Sequence, residues 1–414
     1  MKAKLLLLTV SIGISLVAFE VVLRWLEPPV FPNAVSGGFF IVRSEGLGWE
    51  GKPGAVGHFA AGRCCGSVEL DNCGIRLNGP GGTQKTGFRN ILFIGDSNTA
   101  AFEVDGDRTT SALVETGLRE QGLKVNIVNL GVRGYGTDQS VLRALRYAEQ
   151  FQPEQIVYVF TDNDVFDNNV LREIGRRFGK GVYRDVGGGS FERLNYPVPD
   201  YEPGYWGAVV LDPDGRPLFV DGTISMVERV REKGWLDRSW RLYGWVADLR
   251  GSPFERKARV LRKRRADPFD VMNTAGADGE DIMLSLFFGL IDGGRARLDH
   301  RNYYDAQFEF LLEKLWEIPS LRKVHLVEFP NIPTLEALAG GRDSTNLEFF
   351  DSLSDKGVVQ GWVSLSRVMH EQGVDYDDFS CRPGGHFTET GHRWISEVLL
   401  EGLDFDVGEA DSRP

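Results

Sequence analysis

Apolar residues gather in short blocks along residues 89–170, and their spacing switches back and forth between two patterns. Asn90-Ile91-Leu92-Phe93-Ile94 is a brief apolar run closed by Gly95, as a strand covered on both faces requires. A helical stretch is predicted from about Thr110 to Gln121. VNIVNLG, residues 125–131, reads as a second strand and TDQSVLRALRYAEQF, residues 137–151, as a second helix. In that helix Val141, Leu142, Leu145 and Ala148 recur at spacings of three and four, which puts them on one buried face. Thr137 or Asp138 is its expected cap. IVYVFTD, residues 156–162, is a third strand. Strands and helices in alternation predict a parallel sheet with helices on both faces.

The alternation lapses near residue 170 and resumes near residue 305. QFEFLLEKLWEI reads as a helix, KVHLVEFP as a strand, and two further helices are expected around 358–371 and 388–402. The expected fold is therefore α/β, a three-layer parallel sheet with a large insertion. Residues 89–170 and 305–403 form its two parts, and 171–304 form an insertion or lid, with a separate domain as the alternative. Residues 28–88, rich in Gly, Pro and Asn, form an irregular or β-rich lead-in, and 404–414 an acidic tail. Trp235, Trp240 and Trp245 in the insertion suit a helix packed on the domain, or rings that stack on sugars or anchor at a membrane. The basic run RKARVLRKRR, residues 256–265, suits a solvated face or a contact with anionic lipid or acidic polysaccharide.

The N-terminal pattern is of another kind. In MKAKLLLLTVSIGISLVAFEVVLRWLEPP, an unbroken apolar run extends from Leu5 to Phe19 and resumes after Glu20 as far as Leu26. A spanning helix needs roughly 20 residues, which this stretch reaches with Glu20 and Arg24 near the outer interface. The nearest small-x-small cleavage site, Ala34-Val35-Ser36, lies far beyond the apolar core. Residues 1–27 are therefore expected to form an uncleaved signal anchor, with a cleaved signal peptide as the alternative. Lys2 and Lys4 favour an inside N-terminus. That orientation puts the remainder on the periplasmic or cell-surface side, held to the cytoplasmic membrane by the N-terminal helix.

A net charge of -12 would repel phosphates, so no nucleic-acid partner is expected. Cys64, Cys65, Cys73 and Cys381 make an even number that an exported chain can use for disulfides, but the pairing is not legible. No CxxC pair suggests zinc, and the acids of DNDVFDNN lack the spacing of a calcium loop. Neither metal nor cofactor is expected.

In an open parallel sheet, ligands bind at the carboxyl ends of the strands, so the residues just after each predicted strand carry the chemistry. Gly95-Asp96-Ser97-Asn98-Thr99 follows the first strand. It is not a G-x-S-x-G nucleophile elbow, because Thr99 stands where the second glycine belongs. Gly131-Val132-Arg133-Gly134-Tyr135-Gly136 follows the second strand, where glycines let backbone N–H groups approach a ligand, and no dinucleotide fingerprint is completed. Asn163 follows the third strand and can donate to an oxyanion or close a turn. His386 precedes the last helix, and His392 lies within it as a structural residue.

Taken in order, these residues resemble the four blocks of the SGNH hydrolase superfamily, also called the GDSL esterase/lipase family. ILFIGDSNTAAFEV is similar to its first block, NLGVRGYGTDQ to its second, VYVFTDNDVFDNN to its third and GGHFTETGH to its last. LGWEGKPGAVGHF and DNCGIRLNG resemble the stretch that precedes the first block in membrane-anchored bacterial members. The resemblance covers about 28–170 and 305–403 and implies an SGNH/flavodoxin-like fold. It implies Ser97 as nucleophile and His386 as general base, with an oxyanion hole from the backbone N–H groups of Ser97 and Gly134 and the Asn163 side chain. Asp96 would order the loop.

Two positions depart from the family. Thr161 stands where a glycine is usual, and Pro383 stands where an aspartate should precede the histidine by three residues. The second departure leaves three readings. Asp377 or Asp378 could fold back as the orienting acid, with Asp375 behind them. Alternatively, a backbone carbonyl of the Arg382–Gly385 turn could accept from the imidazole, or the site could bind without turnover. The expected function is an extracytoplasmic serine esterase that hydrolyses an O-acyl ester, such as O-acetyl on a glycan, through an acyl-Ser97 intermediate. An O-acyltransferase acting on a surface polysaccharide and an inactive glycan-binding member are the alternatives.

Overall fold

The computed structural model describes residues 34–80, 82–171, 178–201, 205–211, 217–223, 301–342, 345–382 and 385–406, with residues 11 and 15–18. Two antiparallel hairpins open the described chain. The first joins β1 (Ile41–Ser44) to β2 (Gly48–Gly51), and the second joins β3 (Val56–Ala61) to β4 (Cys64–Glu69). The alternation then begins with β5 (Arg89–Gly95), α1 (Ser97–Ala100), α2 (Thr110–Glu120), β6 (Val125–Asn129), α3 (Thr137–Phe151), β7 (Gln155–Phe160) and α4 (Asn163–Asn169). Hairpins β8 (Val182–Gly187) with β9 (Ser190–Leu194), and β10 (Tyr205–Leu211) with β11 (Pro217–Thr223), belong to the insertion. The second part holds α5 (Arg301–Glu313), β12 (Lys323–Glu328), α6 (Ile332–Ala339), α7 (Thr345–Asp355), β13 (Gly361–Ser364), α8 (Leu365–Gln372), α9 (Tyr376–Phe379) and α10 (Glu389–Gly402).

Among the described residues, five strands form one parallel sheet in the order β13-β12-β7-β5-β6. Because side chains alternate along a strand, Leu92 and Ile94 of β5 face one layer while Ile91 and Phe93 face the other. The first layer contains Val141 and Ala144 of α3, Leu311 and Leu312 of α5, and Phe350 of α7. The second contains Val114 and Leu118 of α2, Met369 of α8, and Ile395 and Leu399 of α10. This is the three-layer α/β fold that the apolar runs predict. The chain steps from β5 to β6 on one side and returns to β7 on the other, so the order reverses at β5. Ligand sites of open sheets form at such a reversal, outside the strand ends, and Ser97 follows β5 directly.

The stretch around 358–371, expected as one helix, is a strand and then a helix. Gly361–Ser364 pairs with β12, and the Ser364 side chain accepts from Arg367 N, which caps α8 and fixes its start. The expected side-chain cap of α3 is also corrected, since Gly136 occupies that position. Thr137 Oγ1 instead meets Tyr158 Oη at 2.9 Å, and Asp138 pairs with the buried Lys180. The expected anchor, residues 1–27, lies almost wholly outside the described residues, as do Trp235, Trp240, Trp245 and the basic run. Among the described residues no helix is long and apolar enough to cross a membrane.

Candidate active site

Asp96 and Ser97 form the start of α1. Asp96 Oδ1 accepts from Asn98 N at 2.8 Å, which caps a helix of a single turn and leaves Ser97, its first residue, part-exposed at the strand end. The helix stops at Ala101, whose left-handed backbone (φ 47°, ψ 53°) turns the chain. Phe102, Glu103 and Val104 follow and are buried.

The histidine arrives from the far end of the sequence. Cys381 N donates to His386 O at 2.7 Å, which closes a tight loop between α9 and α10. Tyr376 Oη donates to Gly385 O at 2.8 Å and steadies the same loop. His386 Nε2 lies 2.7 Å from Ser97 Oγ. Its other nitrogen, Nδ1, lies 2.9 Å from Glu103 Oε1. Serine hydroxyl, imidazole and carboxylate therefore form one continuous relay, with 289 positions between the serine and the histidine.

Glu103 was not anticipated, and it corrects the expected orienting acid. Asp377 and Asp378 are exposed, because they sit on the outer turn of α9 and offer their backbone carbonyls to Arg63. The Asp377 carboxylate accepts from Ser380 Oγ. The place facing Nδ1, where a carbonyl of the Arg382–Gly385 turn was the alternative, is filled by Glu103. A signal for Glu103 did exist, since it is the one charged residue of the apolar run Ala100-Ala101-Phe102-Glu103-Val104. An acid flanked by buried neighbours must be paired, because an isolated buried charge is costly.

Arg133 is the second partner of that acid. Its Nη1 donates to Glu103 Oε1 at 2.9 Å, and its guanidinium lies over the Phe59 ring at 4.5 Å. Burial alone would raise the Glu103 carboxyl, but the hydrogen bond and charge of a protonated His386, together with Arg133, hold it down at about 2. The acid thus stays ionised through the neutral range, which suits it to orient an imidazole and stabilise the imidazolium.

Gly134 and Asn163 end the strands on either side of β5. Gly134 has φ +75°, a left-handed conformation that favours glycine, and the loop is fixed by Trp49 Nε1, which donates to Arg133 O at 3.1 Å. The Asn163 side chain is exposed and donates through Nδ2 to Asp167 Oδ2 at 2.8 Å. That bond uses one amide proton and leaves the second for another acceptor. Thr161, at the position where glycine was expected, is accommodated by the buried Asp164, which accepts from Thr161 N and Oγ1 at 3.1 Å each. Burial, and then the charge of Asp96, raises the Asp164 carboxyl well above the carboxylate range. His392 is buried, its Nδ1 lies 2.8 Å from Thr110 Oγ1, and burial lowers its imidazole to about 4. It belongs to the packing of α10 on α2.

No protein-family model matches the sequence, and no curated protein matches it. Among solved structures, the chain is similar to a catalytic mutant of Axe2, an acetylxylan esterase from Geobacillus stearothermophilus. The two are 12% identical, with 78% of this chain and 98% of that chain covered and a TM-score of 0.37. It is also similar to a lipase/acylhydrolase from Enterococcus faecalis at 12% identity, with 76% and 94% covered and a TM-score of 0.34. For TesA the identity is 11%, with 76% and 97% covered and a TM-score of 0.35. Likeness at this level fixes neither residue roles nor substrate, and those rest on the site's own geometry.

Proposed function

We propose that this chain is a serine ester hydrolase of the SGNH type in which Glu103 replaces the missing aspartate. The relay Ser97–His386–Glu103 carries the reading. Serine is a weak nucleophile until a neighbouring base takes its proton, and His386 Nε2 is within hydrogen-bond reach of Ser97 Oγ. Glu103, held against Nδ1, keeps the neutral imidazole's own proton on Nδ1 and leaves Nε2 free to accept the serine proton. Ser97 would attack the acyl carbon, its proton passing to His386 and then to the departing alcohol. Water would regenerate Ser97 by the same path in reverse. The backbone N–H groups of Ser97 and Gly134, with Asn163, are the proposed donors to the tetrahedral oxyanion.

The proposed substrate is an O-acyl ester, with O-acetyl on a glycan as the first candidate. The proposed location is extracytoplasmic, on a membrane anchor formed by residues 1–27. The Cys64–Cys381 disulfide supports an oxidising compartment. The continuous Ser97–His386–Glu103 relay favours turnover over the inactive binding reading.

Labelling of the full-length protein with a fluorophosphonate probe, together with p-nitrophenyl acetate hydrolysis, tests the reading. Ser97→Ala should abolish labelling, and Glu103→Gln and His386→Ala should lower kcat by about 10²- to 10⁴-fold. Asp378→Asn should stay within about threefold of the parent, since substitutions away from the relay act weakly. A parent that neither labels nor turns over would sink the proposal.

A further inference from the structure

The relay joins two segments that are distant in sequence, and one small element touches both. At its turn, the β3–β4 hairpin is fastened to the histidine loop. Cys64 forms a disulfide with Cys381, five residues before His386, and Arg63 N donates to Cys381 O at 2.9 Å. The Arg63 guanidinium donates to Ser380 O at 3.0 Å, Asp377 O at 3.1 Å and Asp378 O at 2.8 Å. One residue thus satisfies several carbonyls of the loop that carries the base.

Farther along, the same hairpin is fitted to the segment that carries the acid. Gly66 lies so close to it that a Cβ there would sit 2.4 Å from Val104 O and 2.5 Å from Phe102 O, inside any permitted contact. Ser67 N donates to Asp105 Oδ1 at 2.7 Å. Arg76 Nη2 ties the two strips together, donating to Ser67 O and Val104 O at 2.9 Å each. On the neighbouring strand, Phe59 supports the guanidinium of Arg133, which pairs with Glu103.

We infer that the β3–β4 hairpin is a positioning clamp for the catalytic relay, and that the Cys64–Cys381 disulfide holds His386 in register with Ser97 and Glu103. In its activity the inference rests on the proposed serine-hydrolase reading. In its geometry it does not. With the disulfide opened, the loop of residues 377–387 loses its covalent tie to the hairpin and is left with non-covalent contacts such as the Arg63 hydrogen bonds. His386 then gains freedom relative to an acid that remains fixed by Gly66, Ser67 and Arg76. The hairpin acts through the histidine loop and the segment that carries the acid, so its loss should act on kcat and leave KM nearly unchanged.

Two measurements on the full-length protein test this. In the first, Cys64→Ser/Cys381→Ser is compared with the parent in p-nitrophenyl acetate hydrolysis. We expect kcat to fall at least about tenfold with KM within about twofold, since small misplacements of reacting groups are amplified in rate. In a Glu103→Gln background the same pair of substitutions should have less than about a threefold effect, because groups acting as one unit are not additive. Equal effects in both backgrounds, or parental kcat in the double variant, would overturn the clamp. In the second, amide hydrogen exchange is followed with and without dithiothreitol. Exchange should rise in residues 377–387 on reduction of the parent and not change on treating the double variant. An unchanged loop in the reduced parent overturns the clamp even if the protein shows no esterase activity. Missing activity alone, with the exchange response present, would count against the hydrolase reading only.

Discussion

Burial with no exposure would, taken alone, push the Glu103 carboxyl upward. It lies low because one oxygen accepts from both His386 and Arg133. The sign of its contribution to stability follows. In the unfolded chain a glutamate titrates near 4.3, and in the fold near 2. The ionised acid therefore stabilises the fold above about pH 4.5, and that stabilisation is lost as pH falls toward 2. The difference is on the order of 3 kcal/mol. Denaturant unfolding of the parent between pH 5 and pH 2 should show a steeper loss of stability than Glu103→Gln, and equal slopes would contradict the pairing. Ser97 and His386 were legible in the sequence because each follows a strand end or precedes a helix in a familiar order. The apolar setting of Glu103 marks it as a paired acid but does not name its partner. Nothing in local spacing says that a one-turn helix ending in a left-handed alanine will send the sixth residue after Ser97 under the imidazole. Pro383 stands where the resemblance implies an aspartate, and the nearby acids Asp377 and Asp378 are the local substitutes, but the space facing Nδ1 is filled from elsewhere in the chain by Glu103.

Elements with long, regular apolar spacing were read well. β5, β6, β7, β12, α3 and α10 lie within a few residues of where the pattern puts them, since each buries a face that the sequence must mark. β13 escaped because four residues at a sheet edge cannot establish a period, and the helix that follows supplied its own. What holds β13 is a tertiary contact. Glu328, fully buried at the end of β12, accepts from Ser364 Oγ at 2.9 Å, Ser366 Oγ at 2.7 Å and Ser366 N at 3.1 Å. Asn331 Nδ2 donates to it as well, at 2.9 Å. Glu328→Ala would strand these donors in the interior. We expect a loss of about 2–4 kcal/mol in urea unfolding, with Ser97 still labelled in the folded fraction. A change below about 0.5 kcal/mol, the range of neutral surface substitutions, would show that the carboxylate does not hold the edge strand.

At the scale of the whole molecule, the Cys64–Cys381 bond spans 317 positions and joins the lead-in to the last block. A cross-link of such reach removes much conformational freedom from the unfolded chain and should contribute about 2–5 kcal/mol. Thermal unfolding with and without dithiothreitol should show a lower Tm for the reduced parent and no difference for Cys64→Ser/Cys381→Ser. Four cysteines in an expectedly exported chain suggested disulfides without indicating a pairing, and Cys65 and Cys73 remain free. The sequence by itself determined the alternation of strands and helices, hence the parallel sheet and the edge at which chemistry would lie. Those properties follow from local periodicity and from the residue types that end strands. Only the tertiary structure decided which acid faces His386, which cysteines join, and that a fifth strand completes the sheet. Each of those depends on contacts between segments tens to hundreds of residues apart, whose meeting no local spacing encodes.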